Sequence, residues 1–228
     1  MLRVCFGGTF DPVHAGHLAI ARAARDVLHA QVWLVPAHDP PHKPETRADA
    51  AQRVAMLELA LAGEPGLHLD RRELARPGPS YTVDTLAELR AELGEALPIA
   101  WLVGSDALLQ LHTWHRWQDL FELAHVVAVQ RPGAPIDAAM LRASAPAVLA
   151  ELDQRWLPPS ALHESASGGF ALLPLALPRP ESSTELRRRI RSGDPWQDWV
   201  PPAVAAYIER HRLYREPGAI LPPESTDA

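Results

Sequence analysis

The chain has 228 residues, enough for one well-buried α/β domain with or without an appended lobe, and its 47% hydrophobic and 22% charged composition excludes a wholly disordered protein. A formal net charge of −6 excludes a general binder of nucleic acid or of anionic membranes, so any anion site must be local. Cys5 is the single cysteine, which rules out an intrachain disulfide and a multi-thiolate metal site; with no leader-like start and no apolar run near ~20 residues, the expectation is an unexported, cytoplasmic protein.

In chain order, "RVCF" (3–6) reads as a buried strand and runs into "GGTFDPVHAGH" (7–17) and a helical pattern over 14–28. A second strand, "QVWLVPA" (31–37), leads into the Pro-rich "PPHK" (40–43), then helical patterns over 49–62 and 82–93. The strand "IAWLV" (99–103) is followed by "GSD" (104–106), a helical pattern over 115–124 and the strand "HVVAVQ" (125–130). Beyond Pro132 the pattern loosens: a helical stretch over 137–153, a strand "FALLPLAL" (170–177), and two terminal helices, "STELRRRIR" (183–191) and "PAVAAYIERHR" (202–212). Alternating strand and helix is the signature of crossover units on a parallel sheet. The expected architecture is α/β, a Rossmann-like doubly wound parallel sheet with C-terminal helices, in one domain over 1–215 and a frayed tail over 216–228. In such a sheet ligands bind at the carboxyl ends of the strands, where strand order reverses.

"GGTFDPVHAGH" suits that edge. Gly7 and Gly8 let a ligand approach the backbone, Asp11 is a plausible helix cap with Pro12 in the first turn, and a helix starting there offers free N–H groups to phosphate. His14 and His17 share one helical face across Gly16. Neither the phosphate-loop nor the dinucleotide fingerprint is present. A zinc pair is the sharper rival, but zinc helices space their histidines four apart and no third ligand is evident.

This stretch resembles the G-G-T-F-D-P-x-H-x-G-H signature of the Rossmann-like nucleotidyltransferases, and later motifs narrow the resemblance to the bacterial nicotinate-nucleotide adenylyltransferases. "ESSTELRRRIR" (181–191) resembles the family's S-S-T-x-x-R triphosphate motif, with Ser183, Thr184 and Arg187 in register. Read physically, hydroxyls at a helix start and an arginine one turn on are apt for phosphate, while Ser182 with Glu185 forms a capping box that serves stability alone. Arg188, Arg189 and Arg191 read as a solvated face. "PESST" departs from the pattern, lacking the apolar residue the family carries before its serines. The resemblance implies that Gly7, Gly8, Thr9, Phe10, Gly16, Ser183, Thr184 and Arg187 bind ATP, and that His14, His17, Lys43 and Arg187 serve catalysis.

For the second substrate, "PSYTVDTL" (79–86) starts a helix whose N–H groups at Tyr81 and Thr82 could receive a carboxylate, though an ordinary Thr82 cap explains the same residues. Asp106 suits ribose hydroxyls, and Trp114 or Trp117 offers a flat wall for a pyridinium ring. The resemblance implies a nicotinate mononucleotide pocket built from Tyr81, Thr82, Gly104, Asp106, Trp114 and Arg131, adenylyl transfer from ATP to that mononucleotide, and Mg²⁺ carried with ATP instead of a protein metal site. No nucleic-acid or membrane partner is expected, and a homo-oligomer is left open. Two rivals stand beside this reading: a sister transferase acting on phosphopantetheine, or on a polyol phosphate with CTP, and a non-catalytic nucleotide-binding regulator.

Overall fold

The computed structural model describes residues 1–38, 46–130 and 132–215. In chain order its elements are β1 (Arg3–Gly8), α1 (Ala15–Val27), β2 (Gln31–Pro36), α2 (Ala50–Leu61), β3 (Leu67–Leu69), α3 (Arg72–Ala75), α4 (Thr82–Leu93), β4 (Ile99–Gly104), α5 (Ser105–Leu109), α6 (Leu120–Leu123), β5 (His125–Gln130), α7 (Ala138–Ser144), α8 (Pro146–Leu152), β6 (Phe170–Pro174), α9 (Ser183–Ser192) and α10 (Pro202–Arg210), with short 3₁₀ turns between them. The six strands form one parallel sheet in the order β3-β2-β1-β4-β5-β6.

The strands are near-continuous apolar runs because both faces are covered. Leu2, Val4 and Phe6 at β1, Leu102 of β4 and Val127 of β5 face a core closed by α1, α2, α9 and α10 through Leu18, Met56, Leu186 and Ile208. Cys5, Trp101 and Val126, one residue out of phase, face a second core closed by α4, α6, α7 and α8 through Leu86, Phe121, Leu141 and Val148. The order reverses at β1, whose neighbours are β2 on one side and β4 on the other. The crevice above the carboxyl ends of β1 and β4, at Gly8 and Gly104, is therefore where a ligand belongs.

Local expectations differ from the structure at several points, among them the strand expected over 170–177, which ends at Pro174. The stretch 137–153 is two helices, because Ala145 precedes Pro146 and leaves the helical region at φ −150°. The stretch 115–124 is broken by Arg116 at φ 50°, leaving a 3₁₀ turn at Trp117–Asp119 before the single turn of α6. The strand β3 was not expected from the sequence; three residues are too few for a periodic signal. Among the described residues no helix is long and apolar enough to cross a membrane.

Candidate active site

β1 ends on Gly7 and Gly8. A Cβ on Gly7 would lie 2.3 Å from Trp101 Cζ2 of the adjacent β4, so only glycine lets the strand end pass over that indole. Phe10 then turns the chain in the left-handed region at φ 49° and buries its ring in the core. The ring meets Phe6 at 5.6 Å and His17 edge-on at 4.9 Å. Phe10 thus buttresses His17, and any contact it makes to a nucleotide runs through its backbone.

The helix α1 begins later than the sequence suggests. Its cap is His14, in extended backbone, set against His17 at N3 in a capping-box arrangement. Asp11 is not the cap, because its carboxylate is engaged elsewhere: Oδ1 accepts from the Ala48 N–H at 3.1 Å and the Tyr214 hydroxyl at 2.8 Å, and Oδ2 from the Arg47 N–H at 2.7 Å. The His14 N–H donates to His17 Nδ1 at 3.3 Å, and the two rings stack 3.7 Å apart. An accepting Nδ1 puts the proton of neutral His17 on Nε2. His14 is buried, its Nδ1 has no partner among the described residues, and burial pushes its pKa down to about 4, so the ring is neutral at pH 7.

α9 abuts this turn from the other end of the chain. Ser183 Oγ donates to the Pro12 carbonyl at 3.0 Å, and Arg187 Nη1 donates to the Asp11 carbonyl at 2.6 Å while reaching Thr184 Oγ1 through Nη2 at 3.4 Å. Gly16 makes the approach possible: a Cβ there would stand 3.0 Å from His14 Nδ1 and 3.4 Å from the Glu181 carbonyl. Ser182 caps α9 by accepting from the Glu185 N–H at 3.2 Å. The reciprocal half of a capping box is missing, since the Glu185 carboxylate instead pairs with Arg188 and Arg189. Arg188 and Arg191 are exposed, and Arg189 lies over the Trp199 ring at 4.1 Å.

Sequence reasoning missed three supports. Arg53 of α2, 1% exposed, donates from Nη1 to the carbonyls of Thr9 at 2.9 Å and Ala37 at 2.7 Å, tying together the chain just beyond β1 and β2. Its signal was present, since it occupies the buried stripe of α2 with Met56, Leu57 and Ala60. Asp11 was singled out for the wrong role, and Tyr214 has no local signal at all.

α4 starts at Thr82 with Tyr81 as its cap and no side chain satisfying its first turn, and Ser80 just before it accepts from the His38 N–H at 3.0 Å, two residues beyond β2. Thr82 is therefore not the cap that one reading of the sequence expected. The Tyr81 ring lies 4.5 Å from that of His115. Behind it Thr85 donates to buried Glu73 at 2.7 Å, and burial raises the Glu73 pKa. Gly104 closes β4 with no atom within 4 Å of where a Cβ would stand, and Asp106 is exposed in the first turn of α5. Trp114 and Trp117 are both half-buried against the core that also holds Tyr81. Lys43 and Arg131 lie outside the described residues. Among the described residues no group of three or more His, Cys, Asp or Glu stands together.

Over the switch point of this parallel sheet the His14–His17 turn meets Arg187, and the family model described as cytidylyltransferase-like matches residues 5–189. A probable nicotinate-nucleotide adenylyltransferase of Stenotrophomonas maltophilia is 53% identical over 95% of this chain and 98% of its own length. One from Cronobacter sakazakii is 42% identical over 94% and 96%. Among solved structures, the nicotinic acid mononucleotide adenylyltransferase of Plasmodium falciparum complexed with NaAD superposes with a TM-score of 0.68 at 16% identity, covering 93% of this chain and 97% of that one. The chain belongs to the cytidylyltransferase-like family, in its nicotinate-nucleotide adenylyltransferase branch.

Proposed function

We propose that the His14–His17 turn and the start of α9 grip one ATP triphosphate between them while the protein adenylylates nicotinate mononucleotide. The product is deamido-NAD and the leaving group pyrophosphate, a step of NAD biosynthesis. The observation that carries the residue assignment is the meeting of two segments about 170 positions apart: Ser183 on Pro12 and Arg187 on Asp11.

The acceptor phosphate has a second pKa near about 6, so at neutral pH its oxygen is already ionised and no general base is needed. That oxygen attacks the α-phosphorus, a new P–O bond forms, and the α–β bridging bond breaks with its electron pair leaving on pyrophosphate. The protein's work is alignment and charge cancellation. His17, with its proton on Nε2, donates to the α-phosphate; neutral His14 and the N–H groups of the α1 start serve the neighbouring oxygens. Arg187 and Lys43 neutralise the outer phosphates, with Ser183 and Thr184 adding short donors. Gly7, Gly8, Thr9, Phe10 and Gly16 supply backbone and clearance for the nucleotide. A divalent ion, Mg²⁺ in this reading, enters on the triphosphate as part of the substrate and takes up charge there, consistent with its preference for phosphate and water oxygens.

The α4 start, at Tyr81 and Thr82, receives the nicotinate carboxylate; Gly104, Asp106 and Arg131 border the mononucleotide, and Trp114 stacks on its ring. Residues 1–215 act as one domain in this reading. The lone buried thiol, Cys5, suits a reducing cytoplasm. Pyrophosphate release tests the proposal: with ATP and a divalent ion, turnover is expected with nicotinate mononucleotide and not with phosphopantetheine. ATP binding without turnover on any acceptor would overturn it in favour of a regulator.

A further inference from the structure

Tyr214 takes no part in the chemistry above, yet its hydroxyl ends on Asp11 Oδ1, 203 positions away in sequence. Its backbone is in the left-handed region at φ 65°, and Arg212 two residues earlier at 53°. Such conformations are uncommon for bulky side chains and persist where surrounding contacts over-determine them. The contact is to a carboxylate that is itself a junction. Asp11, 4% exposed, holds the N–H groups of Arg47 and Ala48 with its side chain and Arg187 Nη1 with its carbonyl.

The same carboxylate also stands near the cation that the triphosphate needs. Asp11 Oδ2 lies 4.0 Å from Arg187 Nη1, just outside a direct charge-assisted hydrogen bond. Four donors compete for this one residue, and Tyr214 occupies Oδ1 on the side that keeps the carboxylate turned to residues 47 and 48. Buried Arg53 braces the preceding turn through the Thr9 carbonyl. Without the phenol, Oδ1 loses a donor in a buried setting and the carboxylate gains reason to rotate onto Arg187, drawing the guanidinium away from phosphate.

We propose that Tyr214 is a positioning residue for the triphosphate: by holding Asp11 off Arg187 it keeps that guanidinium and the His14–His17 turn aimed into the crevice. The inference rests on the assignment of this crevice to ATP. It predicts a contribution from the chain's C-terminal segment that the phosphate motifs alone do not contain.

The test is the Tyr214→Phe variant of the full chain, which retains the ring, with steady-state kinetics in each substrate and thermal unfolding in parallel. The expected result is a rise in KM for ATP of about tenfold with KM for nicotinate mononucleotide within about twofold of the wild type. Asp11→Asn reads the same contact from its other partner, and the double variant should then show no larger ATP effect than the greater single one. Tyr207→Phe, on a ring tilted against that of His211 at 4.2 Å, serves as the control and should leave the ATP KM unchanged. A merely structural role would lower the thermal midpoint and the active fraction while leaving both KM values alone; that result, equal rises in both, or additive effects in the double variant would overturn the proposal. Wild-type protein run alongside separates the readings: no turnover there defeats the substrate assignment, whereas normal turnover matched by Tyr214→Phe defeats only the role of Tyr214.

Discussion

His14 and His17 are neighbours on one turn with different electrostatic fates. His17 is half-exposed with its tautomer set by a backbone N–H, which suits it to the proposed role of direct donor in the transition state. Replacing it with alanine should lower kcat by roughly 10²-fold or more and leave the fold intact by circular dichroism, since removal of one preorganised donor has that scale. Near-normal turnover would take the role away. His14 carries a stability signature instead. Its folded pKa of about 4 lies below its ordinary 6.5, so between those values the unfolded chain binds a proton that the native one refuses. Stability from this group is therefore full above pH 6.5 and falls as pH drops towards 4, by at most about 3 kcal/mol. Burial depresses His125 in the same sense, so the diagnostic is the difference: His14→Gln should flatten the pH dependence of urea unfolding between neutral and mildly acid conditions. An unchanged slope would mean that His14 is not buried neutral.

At the scale of elements, the informative feature is which helix starts are left without a side-chain cap. α9 has Ser182 and α1 the His14–His17 pair, whereas α4 has none. Uncapped first-turn N–H groups favour a carboxylate over an uncharged amide. The account therefore predicts that nicotinamide mononucleotide is used with a kcat/KM lower by about 10- to 100-fold, a difference of roughly 1–3 kcal/mol. Equal use of acid and amide would show that the α4 start does not read the ring substituent. Much of this was legible in the sequence, because strands such as "IAWLV" are buried on both faces and the glycine-histidine and Ser-Ser-Thr stretches bring their own local chemistry. What was not legible depends on contacts formed across the fold. Asp11 looks like a cap in isolation and becomes a junction only once residues 47, 48 and 214 reach it. The breaks at Arg116 and Ala145 reflect single-residue backbone choices that helical periodicity averages away.

At the scale of the whole molecule, the sheet order brings the first strand to the centre and the chain's last helices back against its turn. α9 and α10 bury Leu186, Ile190, Val204 and Ile208 in the same core as β1 and α1, so apolar burial fixes where Arg187 and Tyr214 can point. The proposed phosphate grip is then a property of the closed fold, since neither terminal segment would contain it alone. The most direct check is a crystal structure of the protein with a non-hydrolysable ATP analogue and a divalent ion. The account predicts one triphosphate with oxygens about 3 Å from both His17 Nε2 and the Arg187 guanidinium; a triphosphate that touches the His14–His17 turn while Arg187 stays out of reach, or the converse, would contradict it.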